Sequence, residues 1–414
     1  MRIAIFSDLH IGFGKGTQRS EEAFGQAKQA FELALMEKAD LILLAGDLFN
    51  EAVPSQEAWL DMFRLFSLVK EAKGKQRKLL YSKGAEKKGF LFDSIPVVSI
   101  AGTHEFRSRD FRNALEVLQE AGCLVYLHAA KAFFELGGET VAVHGLSGVP
   151  EKKALDALRL WGPKPESGAV NILLLHQSIK EFLPFDDDMI ASIALADLPA
   201  GFDLIVDGHL HWASEQKLGE KRLLVAGSTV VTQMKRLEAE KEKGIFVFDS
   251  AKKGLSFVPL PNQRRFVFEK LEFKSAALER IKEAVEEKLS SIASENPGMP
   301  LVKLKLKGTL AKGLGEADVD LSAVKKRFSE KMLLFIDPDF EQADFRHRLE
   351  QLREEQLGKK SVSAMGFELL EKNLAETDFR DAFDVKRVFD LLAEGNIDKV
   401  VEILSEPKKA AANP

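Results

Sequence analysis

The chain has 414 residues, a formal net charge of −5 and a single cysteine, Cys123. That length carries one large hydrophobic core with a smaller domain or two beyond it. The lone cysteine excludes a disulfide framework and a thiolate metal cluster and fits a reducing compartment, the cytoplasm. The opening MRIAIFSDLH has no apolar signal core and no run approaches the ~20 apolar residues of a membrane span, while mild acidity leaves any polyanion to be held by local patches or metal ions.

Short β-rich apolar runs at 3–6, 41–44, 97–100, 172–175, 204–206, 223–225 and 245–248 alternate with longer helical patterns. One of these, over 21–37, puts Ala23, Ala27, Ala30, Phe31 and Leu35 on one stripe. The pattern predicts an α/β domain over 1–258 with largely buried strands. Pro259 and Pro261 mark a boundary. Beyond it the reading is a strand at 266–268, a Glu/Lys-rich helix at 276–292, a strand at 301–306 and then mainly helical sequence. Residues 349–360 are highly charged and solvated, and 385–404 close as a helix, a turn at Gly395-Asn396 and a second helix.

The chemistry sits where the runs end. "FSDLH" places Asp8 and His10 two apart, so an extended chain points both the same way. "LAGDLF" ends the second run with Asp47, "AGTHE" the third with His104 and Glu105, "LLLHQ" another with His176, and "VDGHLH" the next with His209 and His211. Taken singly, each is more often a turn-former or a satisfied core residue than a functional one. Five runs together place them at the C-terminal strand ends, where open α/β sheets build their sites. His128, His144 and His347 lack such partners and are read as structural. A mixed Asp/His set without Cys suits manganese, iron or zinc better than magnesium or calcium. A carboxylate such as Asp47 can bridge two ions ~3.5 to 4 Å apart, the usual arrangement for phosphoester hydrolysis. "GFGKGT" at 12–17 has neither phosphate-loop spacing and is read as a flexible loop over the site.

In this order, D-x-H, G-D, G-T-H-E, H and G-H-x-H, the residues resemble the calcineurin-like metallophosphoesterases. "GDLFNEAVPS", "ILLLHQSI", "DLIVDGHLH" and "VAGSTVVTQM...EKEKGIFVFD" narrow the resemblance to DNA double-strand break repair nucleases of the SbcD type. The resemblance covers about the first 250 residues. It implies a double-sheet sandwich flanked by helices, a small α/β capping, DNA-binding domain at 265–340, and at 341–414 a charged linker and helix-loop-helix that grips an SbcC-like coiled-coil ABC-type ATPase. It also implies a homodimer.

The resemblance further implies two divalent ions, manganese by preference. One would be held by Asp8, His10, Asp47 and His211, the other by Asp47, His176, His209 and the position of Thr103. His104, oriented by Glu105, would protonate the leaving alkoxide. Two departures stand out: Thr103 replaces the family's Asn, and Asn50 stands where related nucleases often carry a His. The implied reaction is DNA cleavage, exonucleolytic on duplex ends and endonucleolytic on single strands and hairpins. A phosphomonoesterase or small-molecule phosphodiesterase of the same fold is the alternative, as is a weakly active scaffold. Two basic stretches offer phosphate contacts, 70–89 with Lys75 and Arg77, and "RSRDFR" with Arg107, Arg109 and Arg112. A solvated helix face and loop is the other reading of both.

Overall fold

The computed structural model describes residues 1–72, 76–106, 111–183, 193–218, 221–341, 384–393 and 399–401, together with 367, 370, 371 and 403. In chain order the elements are β1 (Arg2–Phe6), α1 (Glu22–Met36), β2 (Leu41–Leu44), α2 (Gln56–Glu71), β3 (Arg77–Lys83), β4 (Glu86–Phe92), β5 (Val97–Ser99) and α3 (Ala114–Glu120). They continue with β6 (Val125–Tyr126), β7 (Ala130–Leu136), β8 (Glu139–Gly145), α4 (Glu151–Trp161), β9 (Val170–Leu175), β10 (Leu204–Asp207), β11 (Ser214–Leu218), β12 (Lys221–Val225), α5 (Arg236–Glu240), β13 (Gly244–Asp249) and β14 (Gly254–Pro259).

These strands form two sheets. The first has six strands in the order β14-β13-β1-β2-β5-β6, the second eight in the order β11-β12-β10-β9-β8-β7-β3-β4. Because successive side chains point to opposite faces, an all-apolar strand such as Ile3-Ala4-Ile5-Phe6 serves two cores at once. Ile3, Ile5, Leu41, Leu43 and Val98 meet Ile172, Leu174, Leu204 and Val206 of the second sheet in the layer between the sheets. The alternate residues Ala4, Phe6, Ile42 and Leu44 face Ala27, Phe31, Met62 and Phe66 of α1 and α2. On the far side, Leu173, Leu175 and Ile205 pack with Ala154 and Leu158 of α4. The result is a double-sheet α/β sandwich flanked by helices, the fold class expected from the sequence. Phe6 and Phe31 meet edge-on at 5.2 Å, and truncating either fully buried ring to Ala would cost about 3–5 kcal/mol.

Helix ends follow local chemistry. Ser55 caps α2 by accepting from the Ala58 N–H, and Asn113 with Glu116 forms a capping box on α3.

The basic stretch after α2 departs from a helix-and-loop reading. Residues 77–92 form the β3–β4 hairpin at one edge of the second sheet, where Lys-rich edge strands keep an open edge soluble. Past the sandwich come β15 (Phe266–Ala276), α6 (Leu278–Glu295), β16 (Leu301–Leu310), α7 (Ser322–Phe328) and β17 (Leu333–Glu341), with a three-stranded sheet in the order β15-β16-β17. The expectation of mainly helical sequence after residue 306 is corrected here by β17, whose "LLFI" is β-rich but too short for periodicity to separate from helix.

The chain divides into two compact units, one comprising Met1–Leu271, Lys282–Leu306 and Leu321–Asp337, the other Glu272–Ile281, Lys307–Asp320 and Pro338–Pro414. Within the first, Phe266 and Leu301 pack with Val231 and Met234. Within the second, the rings of Phe273 and Phe340 lie 6.0 Å apart, and Val388, on the helix Val385–Ala393, and Val400 are buried. The charged segment 349–360, Leu404 and the Gly395-Asn396 turn lie outside the described residues. Among the described residues no helix is long and apolar enough to cross a membrane.

Candidate metal centre

β1, β2 and β5 are parallel neighbours in the first sheet, β9 and β10 in the second. The turns after them carry Asp8 and His10, Asp47, His104, His176, and His209 with His211. These side chains meet. Asp8, His10 and His211 form one set of donors, Asp47, His176 and His209 another, and His10, Asp47 and His104 a third, the atoms of each lying within 4.8 Å of one another.

In the first set, His10 Nε2 and His211 Nε2 stand 3.2 Å apart, with Asp8 Oδ1 3.9 Å from the former and 3.6 Å from the latter. In the second, His176 Nε2 lies 3.2 Å from Asp47 Oδ2. Donors about 2.1 Å from one ion stand roughly 3 Å apart at a right angle and up to about 4.2 Å apart when opposite, so these spacings fit coordination. Asp8 Oδ1 is buried and lacks a hydrogen-bond partner among the described residues, a state that costs free energy unless a cation completes it. The residues present therefore fit divalent metal ions.

The backbone is strained to make this possible. Asp8, His10, Asp47 and His209 all adopt positive φ, at 53°, 47°, 49° and 71°, each costing on the order of 1–3 kcal/mol. Cross-links between the turns hold them there: the Asp8 N–H donates to Gly46 O and the His10 N–H to Asp47 O, both at 3.0 Å, and the His209 N–H donates to Asp8 Oδ2 at 3.2 Å. Two glycines allow the close approach. A Cβ on Gly46 would sit 2.5 Å from His176 Nδ1, and one on Gly102 only 2.1 Å from Asp47 Oδ1.

Outer partners set the ring orientations. His176 Nδ1 lies 2.7 Å from Ala45 O, an acceptor, so Nδ1 carries the proton and Nε2 faces the cluster. His104, exposed at the mouth, has its Nδ1 2.7 Å from Asn50 O and its Nε2 4.0 Å from Asp47 Oδ2. Its orientation thus comes from the Asn50 carbonyl, not from Glu105 as the sequence suggested. Glu105 is fully buried, and its two oxygens accept three backbone N–H bonds, from Gly102 at 2.7 Å, Phe49 at 2.7 Å and Asp47 at 3.1 Å. It ties the turn after β2 to the turn after β5. Thr103 directs its hydroxyl towards Asp47 Oδ2 at 3.5 Å.

Charge inside the cluster follows from burial and from the Asp47–His176 contact. Burial alone would raise Asp47, but the adjacent His176 holds its carboxyl well below the usual carboxylate range. Burial opposes protonation of His176, yet the Asp47 and Asp8 carboxylates push it up to about 10. Burial raises Asp8 to about 7, and burial plus the Asp47 charge raises Glu105 to about 8. Burial lowers His10 to about 3 and His209 to about 4, and takes His211 well below its ordinary value, so these three rings offer neutral lone pairs.

Of the expected DNA contacts, Lys75, Arg107 and Arg109 lie outside the described residues. Arg77 is half-buried and bound to the Asp40 carbonyl and carboxylate, while Arg112 is exposed, 3.6 Å from Glu116. Lys15 of the glycine-rich loop pairs with Glu57. His144 packs edge-on against Phe202, and His347 lies outside the described residues.

Sequence reasoning missed Glu151, whose Oε1 accepts from Ser178 Oγ at 2.7 Å and lies 3.5 Å from His209 Nε2. It also missed Thr232, Glu238 and Lys243 around His211. A cavity of about 610 Å³ opens beside Thr232, lined also by Phe13, Arg19, Met234, Lys325 and Phe335. The Glu238–Lys243 pair had a signal in "EAEKEKG" at 238–244, an acidic and basic run leading straight into a buried strand.

The chain is similar in sequence to known proteins. The chain is 25% identical over 259 residues to the DNA double-strand break repair protein Mre11 of Saccharolobus solfataricus, covering 61% of each chain. It is 26% identical over 399 residues to the double-strand break repair protein MRE11 of Encephalitozoon cuniculi, covering 92% of this chain and 66% of that one. Similarity to the Mre11 protein of Thermoplasma acidophilum runs at 26% over 325 residues, 74% of this chain and 77% of that one. The chain thus spans 61% and 66% of the length of the first two relatives. The family model for calcineurin-like phosphoesterases matches residues 1–213. That match takes in more than half of the chain and every strand-end residue through His211, and by it the protein belongs to the calcineurin-like phosphoesterase family.

Proposed function

We propose that the chain is a metal-dependent DNA nuclease, the catalytic subunit of a double-strand break repair complex. The observation that carries this reading is Asp47, buried between the donor sets and a member of two of them, together with similarity to double-strand break repair proteins. Asp8, His10 and His211 would hold one ion with Asp47, and Asp47, His176 and His209 the other, with Thr103 near the second. Two such ions, manganese by preference for mixed imidazole and carboxylate donors, supply charge neutralisation on the phosphate and an activated water.

The chain's own residues position and move the proton. The Asn50 carbonyl fixes the Nδ1 proton of His104 and leaves Nε2 at the mouth of the site. There a protonated His104 donates to the leaving alkoxide as general acid. Glu105 supports the turns that present Asp47 and His104. Apolar residues exposed along α2 and α3, among them Leu60, Phe63 and Val117, support a homodimer, and the amphipathic helix Val385–Ala393 is the candidate grip for a coiled-coil ATPase partner.

Cleavage of labelled single strands, hairpins and duplex ends with manganese, beside p-nitrophenyl phosphate esters, tests the reading. Metal-dependent cleavage of DNA is the expected result. Hydrolysis of the small esters with intact DNA would assign the site to small-molecule phosphoester chemistry instead.

A further inference from the structure

The segment after β12 closes over His211 with a buried polar network that the cleavage reading does not use. Lys243 is buried, and its Nζ donates to His211 O at 2.7 Å, Ser228 Oγ at 2.8 Å and Glu238 Oε1 at 3.0 Å. All three ammonium protons thereby have an acceptor, and the Glu238 carboxylate offsets the charge. The same segment carries Thr232, whose Oγ1 lies 2.6 Å from His211 Nδ1, while Glu238 Oε1 lies 3.8 Å from that nitrogen. Ser228 Oγ donates in turn to Val230 O at 2.6 Å, tightening the turn that leads to Thr232.

A buried lysine–glutamate pair is a weak source of net stability, because desolvating two charges offsets most of their attraction. A fixed geometry around one ring accounts for it better. His211 has one nitrogen, Nε2, directed at Asp8 and His10. For that atom to present a lone pair, the proton must sit on Nδ1, and an oxygen at 2.6 Å is what holds it there. Thr232 therefore fixes the tautomer and the ring plane, and Lys243 fixes the main chain of the same residue.

We propose that Thr232 is a positioning residue for the metal site, holding His211 Nε2 in ligand geometry from a segment anchored by the buried Lys243–Glu238 pair. The proposal rests on the reading of His211 as a metal ligand.

Calorimetric titration of the full chain with manganese tests it, on the unmodified protein, Thr232→Val and Thr232→Ser, beside melting of each metal-free protein. Thr232→Val keeps the shape of the side chain and removes the oxygen. The expected result is manganese affinity weakened about 10-fold or more in Thr232→Val and restored in Thr232→Ser, with the metal-free melting temperature lowered by a few degrees at most in Thr232→Val and unchanged in Thr232→Ser. Equal affinity in Thr232→Val and the unmodified protein would overturn the proposal, as would a loss that Ser fails to restore. No manganese uptake by the unmodified protein would overturn the metal-centre reading itself, and the proposal with it.

Discussion

Replacing Glu105 separates a structural role from a chemical one. Its carboxyl accepts from three buried backbone N–H groups, of Asp47, Phe49 and Gly102. Glu105→Ala leaves all three without an acceptor. At ~1–2 kcal/mol for each stranded donor the loss is about 4 kcal/mol, a large share of the ~5–15 kcal/mol that holds a domain together. Glu105→Gln behaves differently. In the metal-free chain, burial and Asp47 raise the Glu105 carboxyl to about 8, so near neutral pH it is largely the uncharged acid, which an amide mimics. The amide oxygen retains the Gly102 and Asp47 donors, and only the Phe49 contact is lost, at about 1 kcal/mol. Thermal unfolding of the metal-free proteins reads the difference. Glu105→Ala is expected to melt roughly 10 °C lower and Glu105→Gln a few degrees lower. An Ala variant as stable as the unmodified chain but devoid of turnover would refute this reasoning and return Glu105 to a catalytic role.

Three other expectations follow from the geometry. Manganese uptake near pH 7.5 releases on the order of one proton, chiefly from His176, which Asp47 raises to about 10 despite its burial, and more below pH 7 as Asp8, raised to about 7, also carries a proton. Affinity therefore falls as pH falls, and calorimetry in buffers of different ionisation enthalpy counts the protons. His104→Ala lowers turnover by about 10² to 10⁴ while leaving manganese affinity unchanged, because the exposed ring is held by a carbonyl at the mouth; single-turnover kinetics beside titration check it, and loss of metal would make His104 a ligand. Thr103→Asn replaces a hydroxyl that points at Asp47 from 3.5 Å with a carbonyl donor, and raises cleavage at limiting manganese; coincident rate curves across a manganese series would make Thr103 a bystander.

The parts of the fold that were legible are those where one signal sufficed. β1, β2, β9 and β10 are buried on both faces and read as unbroken apolar runs, and each ends in an Asp or His that no apolar layer would keep. The β3–β4 hairpin was hidden because an edge strand rich in Lys lacks the apolar run that marks a central one. β17 was lost in a stretch too short for periodicity to arbitrate. At the site, side chains that act through main-chain atoms left little trace. Spacing does not show that Glu105 reaches the N–H groups of residues 47 and 49, or that the Asn50 carbonyl, more than its side chain, faces His104. The support of His211 by Thr232 and Lys243, 21 and 32 residues later in the chain, depends on β13 returning antiparallel beside β1.

Anomalous scattering from crystals of the full chain grown with manganese tests the central claim most directly. The account predicts two peaks about 3.5 to 4 Å apart, one among Asp8, His10 and His211, the other beside His176 and His209, with Asp47 between them. A single peak, or two that do not share Asp47, would contradict it.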